Sequence, residues 1–124
     1  MNSQKNILLV EDEQFLANLL KIRLGKEGFI ISHAKDGQEA AEIIKKSKFD
    51  LVLLDIILPK ISGFEILGMI RADSQLSGVP VIIISNLGQE NDIDRGRSLG
   101  AVEYIVKAKV SIDELIGQVK KILK

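Results

Sequence analysis

Short runs of apolar residues recur along the chain, and longer stretches with helical periodicity separate them. Residues 7–10, 51–54 and 81–84 are each fully aliphatic. Runs of this kind are typical of strands that are buried on both faces, as in a parallel sheet covered by helices. Residues 29–34 and 102–106 are less uniformly apolar and predict two more strands, the first of them nearer an edge.

Apolar residues spaced three and four positions apart predict a helix after each strand. The predicted apolar face of the first helix consists of Phe15, Leu16, Leu19, Leu20 and Leu24. Gly28 is placed to end that helix. The fourth helix, 88–99, has few apolar anchors and is interrupted by Gly96, so we expect it to be the least stable element. The last helix begins with a capping box formed by Ser111 and Glu114.

The alternation of five strands with five helices predicts a single α/β domain. Its core would be a doubly wound, five-stranded parallel sheet with helices on both faces and right-handed crossovers. No internal repeat, low-complexity tract or linker interrupts the pattern. We expect this domain to span residues 5–124, with no effector domain in this sequence.

Composition narrows the range of functions. Of the 124 residues, 46% are hydrophobic but only 4% aromatic, so the core must be aliphatic. Seventeen basic and seventeen acidic residues cancel and form no basic stripe, which argues against nucleic acid as a direct partner. With no cysteine, neither disulfides nor thiolate metal sites are available. The sequence has no apolar signal segment and no run of membrane-spanning length, so we expect a cytoplasmic protein with no membrane contact.

Polar residues follow four of the predicted strands. Glu11 and Asp12 follow the first strand, Asp55 the third, Ser85 the fourth and Lys107 the fifth. Because the carboxyl ends of parallel strands meet at one edge of a sheet, we expect these side chains to lie together. Three neighbouring carboxylates repel one another, and Mg²⁺ or a nearby ammonium relieves that repulsion. A carboxylate in this setting is suited to accept a phosphoryl group.

Five short motifs, in order and at compatible spacing, make the chain resemble the receiver domain of bacterial response regulators. They are residues 8–13 (LLVEDE), 53–59 (LLDIILP), 61–63 (ISG), 83–85 (IIS) and 104–107 (YIVK). The resemblance extends over essentially the whole chain. It implies a flavodoxin-like strand order of 2-1-3-4-5 and a phosphorylation-activated switch of a two-component phosphorelay, either stand-alone or excised from a longer chain.

The resemblance also implies how the acids act. Asp55 would accept a phosphoryl group from a phosphohistidine on a sensor histidine kinase or phosphotransfer protein, or from a small phosphodonor. Asp12 and Asp55 would bind Mg²⁺ directly, Glu11 would bind it through water, and Ile57 would contribute its backbone carbonyl. Such a chain is not an enzyme in the usual sense, since it catalyses only its own phosphorylation and dephosphorylation.

Three further residues take their roles from the same resemblance. Lys107 would pair with Asp55 and then with the phosphoryl oxygens. Ser85 would hydrogen-bond the phosphoryl group, and Ser85 and Tyr104 together would form the switch. A downstream protein would then bind the face made by residues 88–124.

Three positions depart from the usual pattern of the family. Ala108 follows Lys107 where proline is usual, so we expect the 107–108 peptide bond to be trans. Asn86 stands where a small residue is common, and its larger side chain would narrow access to Asp55. Ile57 is apolar where a polar side chain is frequent; the backbone ligand is unaffected, but attacking water is less well positioned, which leaves the lifetime of the phosphoryl group open.

Three residues also have plainer interpretations. Glu13 is interpreted as a solvated acid in the first helical turn, where the helix dipole favours it. His33 lies on the second strand, away from the acids, and is interpreted as structural. Without the resemblance, Tyr104 would be a half-buried strand aromatic.

Three alternative functions stay open. A hydrolase of the haloacid-dehalogenase kind also uses a strand-end aspartate, but it carries a second acid where this chain has Ile57. A flavodoxin-like mononucleotide binder needs a phosphate-binding loop after the first strand, where residues 11–13 would repel phosphate. A degenerate receiver would bind proteins independently of phosphorylation; the complete set of site residues argues against it, whereas Ala108 and Asn86 keep it open.

Overall fold

The computed structural model describes residues 4–123 and shows five strands that alternate with five helices. Lys124, the last residue of the predicted domain, lies outside the described residues. The strands are β1 (Asn6–Val10), β2 (Ile30–Ala34), β3 (Leu51–Leu54), β4 (Val81–Ser85) and β5 (Glu103–Val106). The helices are α1 (Gln14–Lys26), α2 (Gly37–Lys46), α3 (Gly63–Ala72), α4 (Glu90–Ser98) and α5 (Ile112–Leu123). A short 3₁₀ turn, Lys107–Lys109, connects β5 to α5.

Neighbouring strands all pair in parallel, in the order β2-β1-β3-β4-β5. This sheet confirms the predicted fold class and strand order. Strand β1 pairs with β2 on one side and with β3 on the other, so the strand order reverses at β1. In open α/β sheets such a reversal opens a crevice beyond the carboxyl ends of the two strands.

Side chains of the three central strands, β1, β3 and β4, alternate between two apolar cores, one on each face of the sheet. On one face, residues such as Val10 and Leu54 pack with α2, α3 and α4. On the other face, residues such as Leu9 and Leu53 pack with α1 and α5. Every position of β3 is buried, which explains why its sequence is apolar without alternation.

The apolar face of α1 differs from the prediction at Phe15. Helix α1 begins at Gln14, and in this register Ala17, Leu20 and Leu24 are fully buried against the sheet. Residues two positions apart lie on opposite sides of a helix, so Phe15 faces away from Ala17 and is 84% exposed. The prediction of Phe15 as a core residue is wrong.

Helix α4 continues through Gly96, so the predicted interruption is also wrong. Gly96 is buried, and a Cβ at this position would lie 2.7 Å from Ile83 Cδ1 and 2.9 Å from Tyr104 Cδ2. Glycine therefore allows α4 to pack close to β4 and β5. The predicted apolar anchors, Ile93 and Leu99, are partly buried against the core.

Most element boundaries agree with the prediction to within two residues. Strands β2 and β5 begin at Ile30 and Glu103, one residue later than predicted, and α4 is shorter at both ends. The capping box of α5 is confirmed. The Glu114 N–H donates to Ser111 Oγ at 3.1 Å, and the Ser111 N–H donates to Glu114 Oε1 at 3.3 Å.

The backbone conformations of the loops are those that the sequence predicts. The 107–108 peptide bond is trans, as predicted, since residues 4–123 contain no cis bond. Gly28 and Gly100 follow α1 and α4 with φ angles of +94° and +97°, a conformation that glycine adopts readily. In the described part of the chain, no helix has both the length and the apolar character needed to cross a membrane.

Candidate functional site

The carboxyl ends of four strands bring the predicted site residues to one edge of the sheet. Glu11 and Asp12 follow β1, Asp55 follows β3, Ser85 ends β4 and Lys107 follows β5. An open cleft at this edge is lined by Asp12, Glu13, Asp55, Ile57, Asn86 and Lys107. The parallel topology therefore gathers the acids and the lysine around one cleft, as the sequence predicts.

The Lys107 ammonium is the centre of the charge network in this cleft. Its Nζ donates to Glu13 Oε2 at 2.5 Å, to Asp55 Oδ2 at 2.9 Å and to Glu11 Oε2 at 3.2 Å. Burial disfavours the charged form, but the hydrogen bonds to Glu13, Asp55 and Glu11 outweigh it and raise the pKa of Lys107 above its usual value. Lys107 is therefore charged at neutral pH.

Glu11 is a fully buried acid beside Lys107. Burial, followed by the charge of Asp55, raises the pKa of Glu11 to about 7, against the opposing effects of Lys107 and the Glu13 N–H. The Glu13 N–H donates to Glu11 Oε2 at 3.1 Å. Glu11 Oε1 lies 3.0 Å from Lys107 Nζ but accepts no hydrogen bond from any group in residues 4–123. The Lys107 ammonium therefore balances the charge of this oxygen in part, although the geometry is not that of a hydrogen bond, and a bound cation would balance it further.

Asp12 completes a group of three acids that fits a divalent cation. One carboxylate oxygen from each of Glu11, Asp12 and Asp55 lies within 4.8 Å of the other two. Glu11 and Asp55 are buried whereas Asp12 is exposed, so the group opens toward solvent on one side. Mg²⁺ prefers oxygen ligands and keeps several waters, which suits such a half-open group of carboxylates.

Asp55 is held in place by the backbone around it. Its N–H donates to the Val10 carbonyl at 3.0 Å, and its Oδ1 accepts from the Ile57 N–H at 3.2 Å. The first residue of α3 packs against this loop: the Gly63 N–H donates to the Ile56 carbonyl at 2.9 Å. The second carboxylate oxygen, Oδ2, is bound by Lys107 at the cleft. The side chain of Ile57 is 56% exposed beside it.

Ser85 and Tyr104 both contact the backbone of Leu87. Ser85 is fully buried, and its Oγ accepts from the Leu87 N–H at 3.2 Å. The Tyr104 hydroxyl donates to the Leu87 carbonyl at 2.5 Å. Tyr104 is only 7% exposed and packs in the core, so it is more deeply buried than a half-buried strand aromatic. Burial, followed by the charge of Asp92, raises the pKa of Tyr104.

Glu13 and His33 make contacts at the site that the sequence analysis does not expect. Glu13 is partly exposed, but its carboxylate binds Lys107 instead of lying free in solvent. His33 Nε2 lies 2.7 Å from the backbone carbonyl oxygen of Glu11, so this histidine is closer to the site than predicted, and its contact is with the main chain, as suits a structural residue. The Glu13 contact has a signal in the sequence, since Glu13 directly follows the acid pair at the edge that also carries Lys107. The His33 contact follows from the observed strand register, which pairs His33 with Leu9, two residues before Glu11.

A parallel sheet of order 2-1-3-4-5, with acids, a serine and a lysine at its carboxyl edge, defines the receiver class of two-component signalling proteins. The family model of the response regulator receiver domain matches residues 7–120, so the chain belongs to this family. Phosphoryl acceptance is the general function of the domain, and receiver domains in general use Mg²⁺. The family is a signalling family and not an enzyme family, which favours the receiver over the hydrolase and flavodoxin-like alternatives.

Curated relatives and solved structures agree with this assignment. The chain is 41% identical over 115 residues to the uncharacterized transcriptional regulatory protein YcbL of Bacillus subtilis (strain 168), covering 91% of this chain and 48% of YcbL. It is 38% identical over 118 residues to the response regulator ArlR of Staphylococcus aureus (strain Mu50), covering 95% of this chain and 52% of ArlR. The non-phosphorylated HemR receiver domain of Leptospira biflexa matches with a TM-score of 0.90 and 30% identity over 98% of this chain and 95% of that one. The chain thus spans about half the length of the curated relatives it matches.

Proposed function

We propose that this chain is a phosphorylation-activated switch of a two-component phosphorelay, with Asp55 as the phosphoacceptor. The position of Asp55 carries the proposal. It is a nearly buried carboxylate at the end of β3, its Oδ2 lies 2.9 Å from Lys107 Nζ, and it belongs to the acid group with Glu11 and Asp12. The phosphodonor would be a phosphohistidine on a sensor histidine kinase or phosphotransfer protein, or a small acyl phosphate.

The residues of the cleft are suited to this transfer. An Asp55 carboxylate oxygen would form the new bond to phosphorus while the phosphorus–nitrogen bond of the phosphohistidine breaks and its electron pair stays on the imidazole. Lys107 already contacts Asp55 and would pair with the phosphoryl oxygens. The Ser85 hydroxyl would donate to the phosphoryl group. In this proposal the chain catalyses only its own phosphorylation and dephosphorylation.

Glu11, Asp12 and Asp55, together with the Ile57 backbone carbonyl, would hold Mg²⁺. Two observations support this set: one carboxylate oxygen from each of the three acids lies within 4.8 Å of the other two, and within the described residues the Lys107 ammonium pairs with only two of them, Glu11 and Asp55. When bound, the ion supplies positive charge to the phosphoryl oxygens. Asp12 is the exposed member of the set, so its substitution leaves the buried packing intact.

We also propose that phosphorylation alters the face formed by residues 88–124, where a downstream protein binds. Ser85 and Tyr104 both contact Leu87, so movement of Ser85 toward a phosphorylated Asp55 would change the environment of the Tyr104 hydroxyl. Such a change would shift a pre-existing equilibrium. The proposed domain is residues 5–124, and the proposed location is the cytoplasm, the expectation drawn in the sequence analysis.

Acetyl phosphate and Mg²⁺, followed by intact-mass measurement, test the proposed function. We expect one phosphoryl adduct on the wild type, loss of the adduct in chelator, and a strong reduction in Asp12→Ala. The control Asp94→Ala removes an exposed acid from α4 and should behave like the wild type. A wild-type chain that takes up no phosphoryl group would instead support the phosphorylation-independent binding module.

A further inference from the structure

Three carboxylates use the donors of the Lys107 ammonium. Its Nζ donates to Glu11, Glu13 and Asp55. A lysine ammonium has three donors, so these contacts occupy all of them. As long as Asp55 stays beside Lys107, a phosphoryl oxygen can bind the ammonium only by displacing Glu11 or Glu13.

Burial decides which carboxylate can leave. The side chain of Glu11 is 0% exposed, and its Oε2 is also bound by a backbone N–H. The side chain of Asp55 is 5% exposed, and this residue carries the phosphoryl group itself. The side chain of Glu13 is 56% exposed. An exposed carboxylate gives up an ion pair for water with little loss of free energy, so Glu13 is the exchangeable partner.

Glu13 is not used to cap its own helix. It is the N-cap of α1, but its side chain makes no capping hydrogen bond with the described residues, whereas Asp36 and Ser62 cap α2 and α3 through their side chains. The Glu13 carboxylate is turned toward Lys107 instead. Once released, it would remain near the N-terminus of α1, where the helix dipole favours a negative charge.

We infer that Glu13 is a displaceable partner of Lys107, whose carboxylate occupies the position on the ammonium that the phosphoryl group takes. This inference rests on the proposed function of Asp55. Glu13 acts through Lys107 and is a positioning residue. Because Glu13 and a phosphoryl group carry charge of the same sign, it opposes the entry of anionic phosphodonors as well as the binding of the phosphoryl oxygens.

Beryllofluoride, a phosphoryl mimic, tests the inference in the presence of Mg²⁺, with the bound fluoride measured by fluorine NMR. We expect Glu13→Gln to bind beryllofluoride about two- to fivefold more tightly than the wild type, the size of one exposed ion pair. The gain should shrink as salt is raised, because salt screens exposed charges. With acetyl phosphate, the same variant should show a lower apparent KM and little change in the maximal rate.

The matched control is Glu27→Gln. Glu27 lies at the other end of α1 and pairs with Lys120 at 2.9 Å, so this variant loses the same charge and one ion pair away from the cleft. It should bind beryllofluoride like the wild type. Weaker or unchanged binding by Glu13→Gln would show that Glu13 only holds Lys107 in place and would overturn the inference. A wild type that binds no beryllofluoride would overturn the proposed function and the inference together.

Discussion

At the scale of single residues, Lys107 sets the charge balance of the cleft. Its ammonium faces an exposed carboxylate, Glu13, and two buried ones, Glu11 and Asp55. Exposed ion pairs stabilise a fold little, whereas a buried charge that loses its partner is strongly unfavourable. The contacts of Lys107 with Glu11 and Asp55 are therefore fixed, and its contact with Glu13 is the one that exchanges.

Asp36 has a separate charge effect on the loop that follows Asp55. Its Oδ1 accepts from the Glu39 N–H at 2.8 Å, and its Oδ2 lies 3.4 Å from Lys60 Nζ. Lys60 is the only non-glycine residue of the described chain with a positive φ, +73°. The hydrogen bond from Glu39, assisted by Lys60 and opposed by burial, holds the pKa of Asp36 below its usual value.

We therefore expect Asp36 to contribute stability that is lost in acid. The unfolded chain binds the proton near a pKa of about 3.9, while the folded chain resists it. The contribution is therefore present above the unfolded pKa and disappears as the pH falls through the folded pKa. Asp36→Asn keeps a capping side chain but removes the titration. Melting temperatures of the two proteins should differ most at neutral pH and converge in acid; a difference that widens on acidification would contradict this.

At the scale of elements, the start of α3 fixes the loop that carries Asp55. A Cβ on Gly63 would lie 2.1 Å from the Asp55 carbonyl oxygen and 2.6 Å from the Ile56 Cα. Backbone atoms cannot move aside without shifting Asp55. We expect Gly63→Ala to lower the free energy of unfolding by about 1–3 kcal/mol. The same substitution should slow phosphorylation.

Gly68→Ala is the control for this substitution on the same helix. A Cβ on Gly68 meets no described atom within 4 Å. Because alanine is the better helix former, this variant should gain about 0.5–1 kcal/mol. Urea unfolding measures both variants. If both variants lost similar amounts of unfolding free energy, the close approach of Gly63 to the Asp55 backbone would not be the reason that this position requires glycine.

Helix α4 connects the switch residue to the exposed face. Besides its two partly buried aliphatic anchors, it is held by Arg95, whose guanidinium lies 4.2 Å from the ring centroid of Phe64 on α3. Just beyond the same end of the helix, Arg71 donates to the Gly100 carbonyl at 2.7 Å. Few buried apolar contacts favour local opening, so α4 is expected to respond first when the site is occupied.

Hydrogen exchange with and without beryllofluoride tests this response. We expect the largest change in amide protection between residues 85 and 107, because Ser85, Leu87 and Tyr104 are linked by hydrogen bonds. Residues 37–46, which form α2, provide the internal comparison and should change less. If the amides of 85–107 stay unchanged while the site is occupied, the switch mechanism is wrong.

At the scale of the whole molecule, the fold class follows from the pattern of the sequence, whereas the strand order is implied by the family resemblance. The apolar runs of β1, β3 and β4 are too uniform for surface strands, so they imply a sheet covered on both faces. That sheet in turn places Asp12, Asp55 and Lys107 at one edge. Fold class and the gathering of the site residues are therefore predictable without coordinates.

The remaining features depend on register and on contacts between elements. Phe15 fits the helical period, but the start of α1 turns it to solvent. Gly96 resembles a helix breaker until Tyr104 is seen to pack against it. Glu13 is interpreted as a solvated acid and His33 as a structural residue away from the acids until their contacts with Lys107 and with the Glu11 backbone are known. The apolar periodicity of one helix or strand does not determine which side chains contact each other between two elements.

The most direct test of the central claim is to locate the phosphoryl group. After treatment with acetyl phosphate and Mg²⁺, peptide-level mass spectrometry of the wild type should place one adduct in the segment that contains Asp55. Asp55→Asn removes the nucleophilic carboxylate and nearly preserves its shape, and it should carry no adduct while keeping a cooperative unfolding transition. An adduct that persists in Asp55→Asn, or that maps to Glu11 or Asp12 in the wild type, would contradict the assignment of Asp55 as the phosphoacceptor.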